Sequence, residues 1–455
     1  MRISTSMIYD TGIRSITDQT ASLLHTQQAL ATGRRVVTPA DDPVAAARAL
    51  VVTEAKDVNA QFATNQGNAK DALNLEESQM SSLNDLLTRI RQLAVQGGDG
   101  ALAANDLKSI SAELRSRFDE LLGLANTTDS NGDFIFAGTM GATKPFGANV
   151  DGLLAAPGNE VTYSGDSSQR SLQVSATRYL EVSDSGADIF RQIRNGNGSF
   201  VTDYATTNTG TAVIDAGSVT NTATWNALAD KNYSLQFWTD TNGVAGTPGQ
   251  VYYDIIDTTA GSANQGNSMI TGAPAVNPPT LATDFQAMRK FYEAQTIPLS
   301  TQPGDTGPAF DLGSTVNITG TPGNSDTFTI APSTSQSLFK TVANLIGALE
   351  NKLSNATTSG STALANEIAQ ALTNLDQATD NVLRVRAQIG SRLNELDTLS
   401  SVNQDVDLRY KETLSGLQDV DYAKSISDLQ QNQTSLDAAQ KSYMKVTQLS
   451  LFSYL

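Results

Sequence analysis

Residues 13–30, IRSITDQTASLLHTQQAL, form the first long periodic segment of the chain and decide what the fold is built from. Apolar and small polar residues recur in it at alternating spacings of three and four, the pattern of a coiled-coil seam. This seam consists of Ile13, Ile16, Thr20, Leu23, Gln27 and Leu30. Because Gly33 then supplies a helix stop, we predict a first helix of about 28 residues, roughly 42 Å long.

The same spacing returns near the other end of the chain. The second seam consists of Tyr422, Ile426, Leu429, Gln433, Leu436, Gln440 and Tyr443. Thr20 and Gln27 in the first seam, and Gln433 and Gln440 in the second, stand where a stable soluble coiled coil has Leu or Ile. Since isolated helices depend on packing an apolar face, we predict that both ends are poorly ordered in the free monomer and become helical against neighbouring subunits. An ordinary intramolecular bundle stalk fits the periodicity equally well.

Further helices are predicted next to both ends. Asp42, followed by Pro43, predicts the N-cap and first position of a second helical region. Gly97-Gly98 predicts where that helical region ends. The seam residues are Leu73, Glu76, Met80, Leu83, Leu87, Ile90 and Ala94, then Leu107, Ile110, Leu114, Phe118, Leu121 and Ala125. Towards the other end they are Leu338, Val342, Leu345 and Leu349, then Leu364, Ile368, Ala371, Leu375, Ala378, Val382, Val385 and Ile389.

The middle of the chain has a different pattern, with short alternating runs separated by Gly, Pro, Asn and Asp. Residues 160–164, 233–237 and 251–255 are examples, and they predict strands and turns. The fold class is therefore α+β: long N- and C-terminal helices paired as a coiled-coil-like bundle, with a β-rich middle domain inserted. The predicted segments are an N-terminal assembly helix (1–42), a helical domain in two parts (43–135 and 336–408), a β-rich outer domain (136–335) and a C-terminal assembly helix (409–455).

Composition excludes several classes of function. With 30 Lys and Arg against 47 Asp and Glu, the net charge of -17 repels nucleic acid and anionic lipid. The absence of cysteine excludes disulfides, thiolate nucleophiles and the sulfur ligands of structural zinc. No run of about 18 apolar residues predicts a membrane span, and residues 1–10 do not form a Sec-type signal peptide. An exported chain of this kind needs another route.

No set of residues predicts catalysis, a metal site or a cofactor. The single histidine, His25, lies off the predicted apolar face, so a solvated or subunit-contact role is the better interpretation. Asp41 and Asp42 are adjacent and precede Pro43, which favours capping over a pair of catalytic carboxylates. The segment that begins at Asp129 lacks the Gly and Glu positions of a calcium loop and predicts a turn.

Several stretches at the two ends resemble the flagellin family. They are MRIST at residues 1–5, LATGRRVVTPADDP at 30–43, LLTRIRQLAVQ at 86–96, NGDFIFAGT at 131–139 and IGSRLNEL at 389–396. The resemblance covers residues 1–140 and 336–455. The ending, DVDYAKSISDL at 419–429 and AQKSYMKVTQLSLFSYL at 439–455, is similar to the branch of the family at the hook–filament junction, whereas flagellins usually close on a shorter ending.

The resemblance implies a structural subunit of the bacterial flagellum that is required for filament assembly and motility and is not an enzyme. It implies a homo-oligomeric ring outside the cell, at the hook–filament junction, between hook-associated protein 1 and flagellin. It also implies export in an unfolded state, without a cleaved signal, through the type III export apparatus. A flagellar export chaperone would hold the C-terminal segment until then.

The assembly interface is predicted to lie on the two terminal segments. Its residues are Ile13, Ile16, Leu23, Gln27, Leu30, Ile426, Leu429, Leu436, Tyr443, Leu449, Leu451, Phe452 and Leu455. Burial of several large side chains of the tail, at about 1.5 to 3 kcal/mol each, would make the tail a strong anchor. Two alternatives stay open: flagellin itself, and a secreted adhesin or carbohydrate-binding module that acts through the middle domain.

Overall fold

The computed structural model describes residues 5–156, 159–228, 232–354 and 357–448, and they form two compact units. The terminal unit consists of residues 5–68, 173–179 and 395–448. The central unit consists of the described residues of Ala69–Leu172 and Leu180–Asn394. About 52% of the chain is helical and 16% is in strands, which confirms the predicted α+β class with helical ends and a β-rich middle.

Long helices occupy both ends of the described chain. The helices are α1 (Thr5–Thr32), α2 (Pro43–Gly97), α3 (Ala104–Ala125), α4 (Val150–Leu154), α5 (Thr222–Ala227), α6 (Ala282–Gln286), α7 (Leu338–Ser354), α8 (Thr358–Gln418) and α9 (Tyr422–Gln448). One π-helical turn spans Ala187–Arg191. No helix in the described ranges is long and apolar enough to cross a membrane.

The described strands lie in the middle of the chain, and the longest, β9, β10 and β13, have eight or nine residues. They are β1 (Phe146–Gly147), β2 (Thr162–Tyr163), β3 (Ser171–Ser175), β4 (Arg178–Glu181), β5 (Ile193–Arg194), β6 (Phe200–Tyr204), β7 (Val213–Ile214), β8 (Ser218–Val219), β9 (Tyr233–Asp240), β10 (Gln250–Asp257), β11 (Arg289–Lys290), β12 (Thr296–Ser300), β13 (Asp311–Thr319), β14 (Thr327–Pro332) and β15 (Ser335–Gln336). A five-stranded antiparallel sheet has the order β11-β10-β9-β14-β6, and a four-stranded sheet contains β12-β13-β7 with β8 also on β13.

The helix boundaries follow the local signals that the sequence carries. α1 has the 28 residues expected, and Gly33, at φ +69°, stops it. α2 begins at Pro43, where the Asp42 carboxylate accepts a hydrogen bond from the Ala45 amide at 3.0 Å, and it ends at Gly97. α8 is continuous through the predicted boundary after residue 408 and ends at Gln418. The division into five segments stays a prediction.

Helical seams and aromatic rings build the first core of the central unit. The predicted seam residues of α2, α3, α7 and α8 from Leu73 to Ile389 are all buried. Phe146 and Phe339 lie at the centre of a ring cluster in which neighbouring centroids are 5.0 to 6.0 Å apart. Such ring pairs stabilise a core beyond the effect of their buried area.

The two larger sheets share a second core in the central unit. Along β9, Tyr233, Leu235 and Phe237 are buried on the face towards this core, as the period of two in a strand requires. The opposite face of β9 carries Trp238, which packs with Tyr252 and Phe285. The middle domain therefore has a large apolar core of its own, unlike the terminal unit.

Candidate functional site

The terminal unit brings the two ends of the described chain together as a helical pair, α1 against α9. Gly12 lies against the Tyr443 ring so closely that an added Cβ would be 2.7 Å from Tyr443 Cδ2. The rings of Tyr9 and Tyr443 meet edge to face with centroids 6.3 Å apart. Further along, Asn432 Nδ2 donates a hydrogen bond to Thr26 Oγ1 at 3.0 Å. The pair thus includes small and polar contacts, which a seam of leucines alone would lack.

Only some of the predicted interface residues lie in this pairing face. Ile16, Leu23, Leu30, Leu429, Leu436 and Tyr443 are half-buried in the terminal unit. Ile13, Gln27 and Ile426 are exposed, with Ile13 at 52% and Ile426 at 46%. Leu449, Leu451, Phe452 and Leu455 lie outside the described residues. The role of the whole set in assembly stays a prediction.

Sequence reasoning missed Tyr9, Gly12 and Ala29 as contact residues of α1. The half-buried or buried positions of that helix whose side chains are described are Tyr9, Gly12, Ile16, Gln19, Thr20, Leu23, Thr26, Ala29 and Leu30. They include four residues of the predicted seam, and a second seam with the same spacing of three and four runs through Tyr9, Gly12, Ile16, Gln19, Leu23, Thr26 and Leu30. Gly12 was the available signal, since a glycine inside a helix permits a close approach of a neighbouring side chain.

The segments that follow α1 and precede α9 are joined backbone to backbone. Arg34 and Asp419 form an antiparallel bridge, the Arg35 amide donates to the Gln418 carbonyl at 2.7 Å, and the Val420 amide donates to the Gly33 carbonyl at 2.9 Å. The Arg35 guanidinium also donates to the Leu417 carbonyl at 2.9 Å. These bonds hold the segment after the C-terminal end of α1 next to the segment before the N-terminal end of α9.

The carboxylates beside this bridge organise the backbone and the start of α2. The amides of Val37 and Thr38 donate to the Asp41 side chain, and the Thr38 hydrogen bond is the main cause of the lowered pKa of Asp41. The pKa of Asp42 is likewise lowered, chiefly by the Ala45 amide. His25 Nε2 lies 3.0 Å from Asp41 Oδ1. The predicted capping role of Asp42 is confirmed. In the described ranges, no group of three or more His, Cys, Asp or Glu side chains could hold a metal ion.

The predicted turn at Asp129 is also confirmed. The Asp129 carboxylate accepts hydrogen bonds from the Asn131 amide at 2.8 Å and from the Asp133 amide at 3.0 Å. Because Oδ1 accepts both of these local backbone hydrogen bonds, the carboxylate closes a turn.

The terminal unit has almost no apolar core. Its buried apolar residues are Ala29, Val36, Ala45, Ala49, Val174, Leu396 and Val420. Between α2 and α8 within this unit, the Asn59 and Asn403 side chains each donate to the other's backbone carbonyl, at 3.0 and 3.1 Å. Amide contacts of this kind orient two helices, but they bury far less apolar area than a leucine seam.

The same unit carries most of the exposed apolar side chains. Of the twenty-one large apolar residues that are exposed in the described part of the chain, fourteen belong to it: Met7, Ile13, Leu24, Val44, Leu50, Val51, Val58, Tyr179, Val402, Leu408, Tyr422, Ile426, Met444 and Val446. An apolar surface of this density, on a unit without a core, marks a site of protein association.

Known proteins with the same organisation are flagellar. The bacterial flagellin N-terminal helical region matches residues 3–140. Flagellar hook-associated protein 3 of Escherichia coli K12 is 25% identical over 452 residues, which cover 99% of each chain. Flagellar hook-associated protein 3 of Salmonella typhimurium LT2 is 34% identical over 193 residues, which cover 42% of this chain and 58% of that protein.

Solved structures agree with these matches. The crystal structure of flagellar hook-associated protein 3 from Legionella pneumophila is 28% identical, has a TM-score of 0.66 and covers 81% of this chain and 98% of that one. Flagellins match over shorter stretches and are distant relatives. Along its full length the chain is therefore similar to flagellar hook-associated protein 3, a structural protein of the flagellum, and its first 140 residues match the N-terminal helical region of bacterial flagellins.

Proposed function

We propose that the chain is a ring-forming subunit of the junction between the flagellar hook and the filament. The observation that carries this proposal is the terminal unit, which exposes fourteen large apolar side chains while it buries mostly Ala and Val. The free energy falls when copies of the chain cover a surface of this kind and remove it from water. The full-length similarity to hook-associated protein 3 supports the position in the flagellum.

The partners follow from the proposed position. Copies of the chain contact one another through the terminal segments, 1–42 and 409–455, with hook-associated protein 1 on one side of the ring and flagellin on the other. The helical segments 43–135 and 336–408 form the next layer, and the β-rich segment 136–335 forms the outer domain. The shared core of the two larger sheets supports an outer domain that keeps its shape without neighbours.

The subunit reaches this extracellular position by export through the type III apparatus, with a chaperone on the C-terminal segment. A small apolar core in the terminal unit favours this route, because ends with little packing of their own unfold at low cost. The subunit has no catalytic role: its only histidine pairs with Asp41, and its relatives are structural proteins.

Removal of residues 449–455 tests the proposal. A strain that carries this truncated chain in place of the native one should still export it, should build hooks without filaments, and should release unpolymerised flagellin into the medium. Normal filaments on such cells would contradict the proposal. Growth of long filaments from the purified native chain alone would instead indicate a filament subunit.

A further inference from the structure

An open groove lies between the paired helices of the terminal unit, on α1 near Gly12 and on α9 near Tyr443. It has a volume of about 510 Å³, which is enough for several large side chains. Small residues, among them Gly12, Ser15 and Ser442, line it together with Met7 and Val446, which are 60% and 45% exposed. All the described residues that line it are uncharged.

Residues 449–455, LSLFSYL, have the matching chemistry. Leu449, Leu451, Phe452, Tyr454 and Leu455 supply five large apolar or aromatic side chains, and the two remaining residues are serines. This segment has no Asp, Glu, Lys or Arg, so its burial in an uncharged groove requires no desolvation of a charged side chain. The small residues that line the groove leave room for large side chains of this kind.

The chain's own tail would have to turn back to fill this groove. α9 continues to Gln448, beyond the groove residue Val446, so the described part of the helix has passed the groove before residue 449. To return, it would have to reverse direction within a seven-residue segment. That segment contains no Gly, Pro, Asn or Asp, the residues that tight reversals use most often. A tail from another copy meets no such constraint.

We infer that residues 449–455 of a second copy dock in the groove beside the contact of Gly12 with Tyr443. The contact is heterologous, since the tail of one copy meets the groove of the next, and repetition of such a contact around an axis gives a ring when the rotation between copies closes. This inference rests on the proposed function and adds to it which surfaces join neighbouring copies.

The absence of native cysteine allows a direct test by disulfide crosslinking. A strain without the native chain would express two variants together, S442C in the groove and S450C in the tail. Isolated flagella would then be oxidised, and the crosslinked dimer measured on a non-reducing gel. S427C is the matched control for the groove variant, because Ser427 is an exposed serine on the same helix but lies outside the groove.

We expect S442C with S450C to give at least tenfold more mixed dimer than S427C with S450C. In a further strain, one chain would carry both S442C and S450C, and a disulfide within that chain in place of a dimer would overturn the inference. So would equal crosslinking of the control, or no dimer although blots show both variants in the flagella. S453C replaces S450C if the latter is not incorporated.

The outcomes separate this inference from the proposed function. If the chain truncated after residue 448 builds no filaments but the tail and groove do not crosslink, the junction role stands and the docking site is wrong. If that truncated chain builds normal filaments, the proposed function itself fails.

Discussion

A buried glutamate in the central unit makes the stability of the subunit depend on pH. Glu76 interrupts the apolar seam of α2 and is 2% exposed. Its Oε1 accepts a hydrogen bond from the Asp184 amide at 3.0 Å, and its Oε2 has no hydrogen-bond partner in the described part of the chain. Burial first, and the charge of Asp184 second, raise the pKa of Glu76 to about 8. Arg392 does not reverse this effect, because it donates to the Asp184 carboxylate at 2.8 and 3.1 Å.

The direction of the pH effect follows from this raised pKa. A glutamate titrates at 4.5 when the chain is unfolded, so the folded state holds a proton that the unfolded state loses above that pH. The contribution of this group to stability is therefore complete below pH 4.5 and is lost as the pH rises through 8. At 1.36 kcal/mol per pKa unit, the loss between pH 5.5 and pH 9 is about 3 kcal/mol.

The variant E76Q should remove this dependence, since glutamine keeps the shape and carries no charge. Relative to the native chain, E76Q should gain about 3 kcal/mol of local stability between pH 5.5 and pH 9. The measurement is hydrogen exchange of the backbone amides of residues 70–97 in both chains at each pH. The ratio of the protection factors, E76Q over the native chain, should rise roughly hundredfold from pH 5.5 to pH 9. The ratio cancels the intrinsic effect of pH on exchange.

M80A is the matched control, one turn further along the same seam and fully buried. It should lower stability by about 2 to 5 kcal/mol through the cavity that it leaves, by the same amount at every pH. A constant difference between E76Q and the native chain from pH 5.5 to pH 9 would refute the reasoning. It would mean that Glu76 is charged in the folded state at neutral pH.

Three further substitutions test other parts of the fold. D42A removes the N-cap of α2, and exchange of the first-turn amides of that helix should become about fivefold faster. L235A leaves a cavity between the two larger sheets and should lower the free energy of unfolding of the β-rich domain by about 2 to 5 kcal/mol, measured by tryptophan fluorescence in urea. G12V should separate α1 from α9 by a clash with Tyr443 and abolish swimming. Its control is G67V, whose added Cβ meets open space and which should leave swimming intact. Equal swimming of both variants would count against the helical pair.

Much of the architecture was predictable because it depends on local periodicity. The seams from Leu73 to Ile389 are buried as expected, since a spacing of three and four places these residues on one face whatever they pack against. The ends of α2 were predictable for the same local reason: Asp42 and Pro43 start a helix, and Gly97 stops one. The junction-type ending was the feature that separated this chain from flagellin.

The use of the terminal helices could not be predicted from the sequence. In α1, two overlapping seams have the same spacing, and only the position of α9 decides that Gly12 faces a partner helix while Ile13 is exposed. The burial of Glu76 is likewise a tertiary property, because it depends on a loop residue, Asp184, that lies more than a hundred positions away. The sequence by itself determined where helices and strands form, through interactions within a few residues. The tertiary structure decided which faces are covered, because burial depends on segments that the chain brings together from its two ends.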